Sequence, residues 1–241
     1  MNAAGRSILA FVVAVACAGQ LQANADSIAF TRSTGLLDMA PLASTLLQFP
    51  QFNTALGQLN SVTIHLDGQQ QANVTAENGS PDLSGTIYVG LGGGNGNYIA
   101  ATGPGVGLNV DLAGPLDAFA AAVNDDPINP ITQLPEYDGA GGDFHDFGLL
   151  TASWFDETTL TTSLSPYQGL GTVDMQVTGD GGWAWAGTTA AQLSVANYQG
   201  SGEITVTYNF TAIPEPTTMA LFGSFGALII FGRRFRKANC A

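Results

Sequence analysis

The sequence predicts an all-β fold: an antiparallel, jelly-roll-like β-sandwich flanked by an N-terminal signal helix and a C-terminal transmembrane helix. Three observations carry this. Short apolar runs alternate with polar residues at period two, the pattern of strands that bury one face. Gly, Ser, Thr, Asn and Asp dominate between them, as turn residues do. The chain contains 31 glycines in 241 residues, a content that disfavours long helices.

Residues 1–25 read as a signal peptide. Arg6 precedes an apolar stretch from Ile8 to Ala18, and Ala23-Asn24-Ala25 has the small-x-small form that a signal peptidase cuts. Ala16-Cys17-Ala18 is a second such triplet. The export translocon and signal peptidase are therefore expected partners, and the folded domain is expected to span residues 26–212. Both cysteines, Cys17 and Cys240, fall outside that span, so the domain must fold without a disulfide.

Within the domain, Ser61–Leu66 places Val62, Ile64 and Leu66 on one face and His65 on the other. Thr86–Leu91, Leu108–Leu112 and Ala152–Phe155 are further strand segments. Thr172–Val177 points Val173, Met175 and Val177 inward, and Glu203–Phe210 does the same with Ile204, Val206, Tyr208 and Phe210. Asp67-Gly68, Asn78-Gly79 and Asp180-Gly181 read as turns. The Ala-rich segment Leu116–Val123 predicts two helical turns, stopped by Asn124-Asp125-Asp126-Pro127. Residues 127–142 form a long Pro/Gly-rich excursion. No internal repeat is visible.

Charge narrows the function classes. Residues 26–212 hold one basic side chain, Arg32, and 18 of the 19 acids, a formal charge of about −17. Nucleic acid, which needs Lys and Arg, is excluded as a partner. Divalent cations and neutral or cationic glycans remain. Asp138, Asp143 and Asp146, with Glu136 and Asp125-Asp126 upstream, are the candidate carboxylates for Ca²⁺, although their spacing matches no EF-hand. No other cofactor is expected. His65 and His145 are the only histidines, too few for a zinc site in a domain without thiols.

No catalytic residues are assigned, and no enzyme activity is expected. The chain lacks a Gly-x-Ser-x-Gly elbow. Asp156-Glu157, or Asp143 with Asp146, offer carboxylate pairs without a defined separation. Trp183 and Trp185, two apart in one strand, share a face. Facing inward they fill the core, the favoured reading. Facing outward, near Tyr198 or Tyr167, they form a platform on which sugars stack.

The C-terminus, residues 213–241, is built from three segments. Pro214-Glu215-Pro216 is a rigid turn with two fixed φ angles. Residues 217–232 form an apolar segment of transmembrane character; the uncharged stretch from Met219 would span about 21 Å as a helix, short against a core of about 30 Å. Arg233, Arg234, Arg236 and Lys237 form a basic stop that stays cytoplasmic.

This tail resembles the PEP-CTERM sorting signal of Gram-negative bacteria. The resemblance implies recognition of Pro214, Glu215 and Pro216 by an exosortase, a membrane-embedded transpeptidase-like enzyme. It also implies an inner-membrane intermediate held by the C-terminal helix, followed by release to the cell surface or the extracellular polysaccharide of a biofilm matrix.

A second set of segments comprises Gln48–Leu59 running into Ser61-Val62-Thr63-Ile64, then Tyr137–Gly142, Gly169–Val173 and Ile204–Tyr208. These resemble the choice-of-anchor E domain, an exported bacterial domain, over roughly residues 27–211. That resemblance implies a β-sandwich on a surface and no chemistry.

The expected role is structural, adhesive or glycan-binding. A polysaccharide-modifying hydrolase is the alternative, and an ice-binding surface, which needs a flat regular threonine array, a weaker one. Glu215→Ala should leave the domain folded and stop tail removal; normal processing of that variant, read from its C-terminal peptide, would refute recognition of the Pro-Glu-Pro turn.

Overall fold

The computed structural model describes residues 25–39, 42–92, 97–133, 135–136, 138–187 and 190–213. The signal peptide, the sorting motif Pro214–Pro216, the segment 217–232 and the basic stop lie outside the described residues. Among the described residues no helix is long and apolar enough to cross a membrane.

The fold is mostly β, with several antiparallel sheets packed together. Twelve strands are described: β1 (Ala25–Ser33), β2 (Leu37–Asp38), β3 (Leu42–Pro50), β4 (Gly57–Asn78), β5 (Gly85–Leu91), β6 (Tyr98–Gly103), β7 (Val106–Asp111), β8 (Asp117–Ala121), β9 (Phe144–Leu160), β10 (Thr172–Asp180), β11 (Trp183–Ala186) and β12 (Ala191–Ala212). All six predicted strand segments fall in strands, apart from Leu112, which follows the end of β7. Two of these strands, β4 and β12, run for 22 residues each.

β4 and β12 pair antiparallel along nearly their whole length, from Ala191 opposite Asn78 to Ala212 opposite Gly57. With β1, β9 and the short β2 they make a five-stranded sheet in the order β1-β12-β4-β9. From Val62 to Ala76 the even-numbered residues of β4 face inward. One half of that face, with Val62, Ile64 and Leu66, packs on the four-stranded sheet β3-β10-β6-β7, which contributes Phe49, Val177 and Ile99. The other half, with Ala72, Val74 and Ala76, packs on the three-stranded sheet β11-β5-β8 through Ile87, Val89 and Leu91. One long sheet thus serves two hydrophobic cores.

A polar seam separates them. Gln70, midway along β4, is fully buried. The Tyr198 hydroxyl donates to the Gly182 carbonyl at 3.0 Å, with Gln70 Oε1 at 3.3 Å and Asn97 Oδ1 at 3.4 Å. Burial pushes the Tyr198 hydroxyl up to about 12, so it remains a donor. Tyr198 also packs against both cores.

Two expectations are corrected. Asp67-Gly68 is not a turn but the middle of β4. Gly68 lies opposite Gly202, and a Cβ on it would come 3.2 Å from Ile99 Cβ and 3.3 Å from Val110 Cγ1; the glycine lets the facing sheet approach. Leu116–Val123 is not helical. Its centre is β8, paired with β5 from Gly85 opposite Ala121 to Val89 opposite Asp117. A segment this short does not hold a helix alone, whereas strand alternation turns both Phe119 and Ala121 onto the second core. Asn78-Gly79 and Asp180-Gly181 do follow strand ends, of β4 and β10.

Tyr198→Phe removes the seam's hydroxyl and leaves buried acceptors without it. It is expected to destabilise the domain by about 1–3 kcal/mol, measured by urea unfolding.

Candidate functional site

Three places gather chemistry-bearing side chains. The first is the edge strand β11. Its register sets Trp183 opposite Leu91 and Trp185 opposite Val89, so both indoles share the core-facing side. β11 ends its sheet, however, and no further strand among the described residues covers it. Trp183 stays 44% exposed and Trp185 47%. The favoured inward reading is thus corrected: the rings face the core side but do not fill it. Trp183 meets the Tyr198 ring edge-on at 5.9 Å. Tyr167 is buried and donates its hydroxyl to the Pro104 carbonyl at 2.8 Å.

The second place lies across the five-stranded sheet. A shallow groove of about 400 Å³ is lined by Ser33, Asp67, Gln69, Ser153, Trp154, Phe155, Ser201 and Glu203 among others. Its centre is one register row of the sheet's outer face: Ser33 opposite Glu203, Glu203 opposite Asp67, Asp67 opposite Phe155. Trp154 and Phe155 are 55% and 67% exposed. The Trp154 indole N–H donates to the Ala113 carbonyl at 3.2 Å, which fixes the ring.

The adjoining row holds His65, on the polar face as expected. Its Nε2 is 3.2 Å from Asp67 Oδ2 and its Nδ1 3.3 Å from Glu157 Oε2. Its ring stacks on Phe155 at 5.2 Å. The groove was not foreseen. The signal was present in Trp154-Phe155, because two adjacent strand aromatics cannot both point inward.

Threonines pair across strands on this face, Thr31 with Thr205 at 2.8 Å and Thr63 with Thr159 at 3.0 Å. His65, Asp67 and Glu157 interrupt them, so they do not form a regular array. His145 is held elsewhere, stacked on Phe119 at 4.6 Å and edge-on to Phe147 at 4.7 Å.

The third place is a buried group of carboxylates at the end of β4. Glu77 is 1% exposed, Asp126 9% and Asp143 0%. One oxygen from each lies within 4.8 Å of the others. Of the anticipated cation residues, Asp143 and, from the upstream pair, Asp126 join this group. Asp138 and Asp146 are exposed, and each caps a local turn, accepting from Ala140 N at 2.9 Å and Gly148 N at 2.8 Å. Glu77 was missed: it lies 11 residues beyond the predicted strand Ser61–Leu66, and only the continuation of β4 to Asn78 brings it to the group.

Burial, then the Asp126 carboxyl beside it, then the charges of Asp126, Asp143 and Asp138 push Glu77 from 4.5 up to about 7. Burial, followed by the neighbouring Asp125 carboxyl, raises Asp143 as well, against the pull of backbone N–H groups.

A PEP-CTERM protein-sorting motif matches residues 212–237. No curated protein matches the chain. A solved structure of the infectious bursal disease virus Gx strain is similar at 14% identity over 81% of this chain, with a TM-score of 0.13, a likeness too slight to define a fold. The chain spans 40% of that viral chain. The sorting motif implies an exported protein that an exosortase processes and sorts to the cell surface.

Folding gives Glu77 a higher proton affinity than it has unfolded. Between pH 4.5 and about 7 the folded state holds a proton that the unfolded state has released, so stability is present at the acidic end and is lost as pH rises through that window. In EDTA the melting temperature should therefore fall from about pH 5 to about pH 7.5, and Glu77→Gln should flatten the fall.

Proposed function

We propose that the exported domain is a non-enzymatic cell-surface or matrix protein that holds extracellular polysaccharide. In this reading the apolar segment 217–232 retains the chain in the inner membrane with the domain outside the cytoplasm. The exosortase then acts near Pro214-Glu215-Pro216. The domain itself is a jelly-roll-like sandwich of the choice-of-anchor E type. What supports that assignment is the packing of small antiparallel sheets on one long sheet whose last strand, β12, leads into the tail.

The observation that carries the glycan role is the half-exposed pair Trp183 and Trp185 on one side of an edge strand. Indole faces are flat and apolar, and the C–H face of a pyranose packs against them while its hydroxyls stay in water. With Arg32 as its one basic side chain and a charge of about −17, the span 26–212 favours a neutral or cationic glycan over a strongly anionic one.

One observation favours the hydrolase alternative. Asp67 and Glu203 are cross-strand neighbours in the groove, with Phe155 opposite Asp67 in the same row. Glycoside cleavage uses such a pair of carboxylates. The groove is open to water, however, and the strongest electrostatic catalysis comes from sites that exclude it.

Retention of the full chain on polysaccharide from its native host distinguishes the two. The double variant Trp183→Ala, Trp185→Ala should lower affinity about tenfold, the equivalent of about 1.4 kcal/mol. Unchanged retention would remove the platform. Release of new reducing ends by the intact protein, abolished in Asp67→Asn, Glu203→Gln, would establish the hydrolase instead.

A further inference from the structure

We propose that Glu77, Asp126 and Asp143 form a site for a hard divalent cation, Ca²⁺, that clamps the excursion between β8 and β9 onto the end of β4. The site is separate from the aromatic platform and does not depend on it.

Unpaired oxygens at this place carry the inference. Both carboxylate oxygens of Glu77, Oδ1 of Asp126 and Oδ1 of Asp143 are buried without any hydrogen-bond donor. The second oxygens of the two aspartates are in use. Asp126 Oδ2 accepts from Asn124 Nδ2 at 2.8 Å, and Asp143 Oδ2 accepts from Asp125 N at 3.4 Å. Each aspartate is thus held by one oxygen and leaves the other unpaired. A buried carboxylate without a donor is costly unless a charge compensates it. Arg32 is the only Lys or Arg among the described residues, and it lies on β1, donating to the Thr31 carbonyl.

A proton is the other way to neutralise the group. One shared proton makes one hydrogen bond and satisfies two of the four orphaned oxygens. A cation coordinates all four, Glu77 with two and each aspartate with one. All the donors are carboxylate oxygens, the set that hard cations take and softer transition metals do not require. Ca²⁺ accepts six to eight oxygens in flexible geometry, so water or backbone carbonyls complete its shell. Mg²⁺ demands a tighter octahedron.

The surrounding backbone is already built. Asn78, next to Glu77, donates its side-chain amide to the Leu83 carbonyl at 2.8 Å and the Ala122 carbonyl at 2.7 Å. Asn78 N–H donates to the Asp143 carbonyl, and Ala122 N–H to that of Gly142, both at 3.1 Å. Gly141, at φ +91°, sits where a Cβ would collide with the carboxylates of Asp125 and Asp143, so only glycine leaves that space to the oxygens. A site on an exported domain meets the Ca²⁺ concentrations at which extracellular modules work, roughly 10⁻⁴–10⁻³ M.

The test is calorimetric titration of the full-length chain, purified in detergent and stripped with EDTA, with CaCl₂ and in parallel with MgCl₂. One saturable Ca²⁺ site is expected, with a melting temperature raised by several degrees at roughly a hundredfold excess over Kd and slower hydrogen exchange across residues 122–143. Glu77→Gln keeps the side chain's size and should weaken Ca²⁺ binding at least about tenfold while the metal-free protein still folds. Asp126→Asn serves as the second variant, and Asp146→Asn should bind as the parent does. No heat and no melting shift at about 10 mM CaCl₂, ten times the weakest extracellular range, would overturn the proposal. So would a response that survives unchanged in both Glu77→Gln and Asp126→Asn, because the ion would then sit on exposed acids. An equal response to MgCl₂ would overturn the assignment to Ca²⁺.

Discussion

The pairing of β4 with β12 is the constraint on which the rest of the structure depends. Each strand is 22 residues long, far beyond the usual strand of about five or six. A pair that long cannot be covered by one small sheet, so two sheets share its inner face and two cores result. Gln70 and Tyr198 meet where those cores adjoin, and their polar atoms need each other because the place is buried. The outer face is left to solvent, and there the groove forms. The carboxylate group lies where β4 ends.

The same pairing bears on anchoring. β12 ends at Ala212, at the start of the sorting motif, and is flanked by β4 on one side and β1 on the other. β1 begins at Ala25 opposite Thr211, so the domain's first strand and its tail junction lie at one end of the sheet. A pull from the tail runs along β12, across hydrogen bonds perpendicular to it. Those bonds would shear together rather than break in succession.

Much of this was legible where one residue's neighbours in sequence decide its environment. The alternation of Val62, Ile64 and Leu66, and of Ile204, Val206, Tyr208 and Phe210, marks strands because side chains alternate whatever the strand pairs with. Asp67-Gly68 misled because a glycine that admits a facing sheet looks the same in sequence as one that makes a turn. Ala118–Ala121 misled because helix propensity is a weak prior beside a waiting strand partner. Trp183 and Trp185 were placed on a shared face correctly, but their exposure depends on β11 being an edge, a property of the whole sheet. Glu77, Asp126 and Asp143 come from three separate segments, and only folding brings them together. The PEP-CTERM motif was legible because its segments are contiguous.

Function and fold meet at Ala212, where β12 ends and the sorting motif starts. The most direct measurement is the intact mass and C-terminal peptide of the protein recovered from its native host. A new terminus near Pro216, with or without the added mass of a glycan or lipid, is the predicted result. A chain that still ends at Ala241 would contradict exosortase sorting and leave the tail as an ordinary membrane anchor.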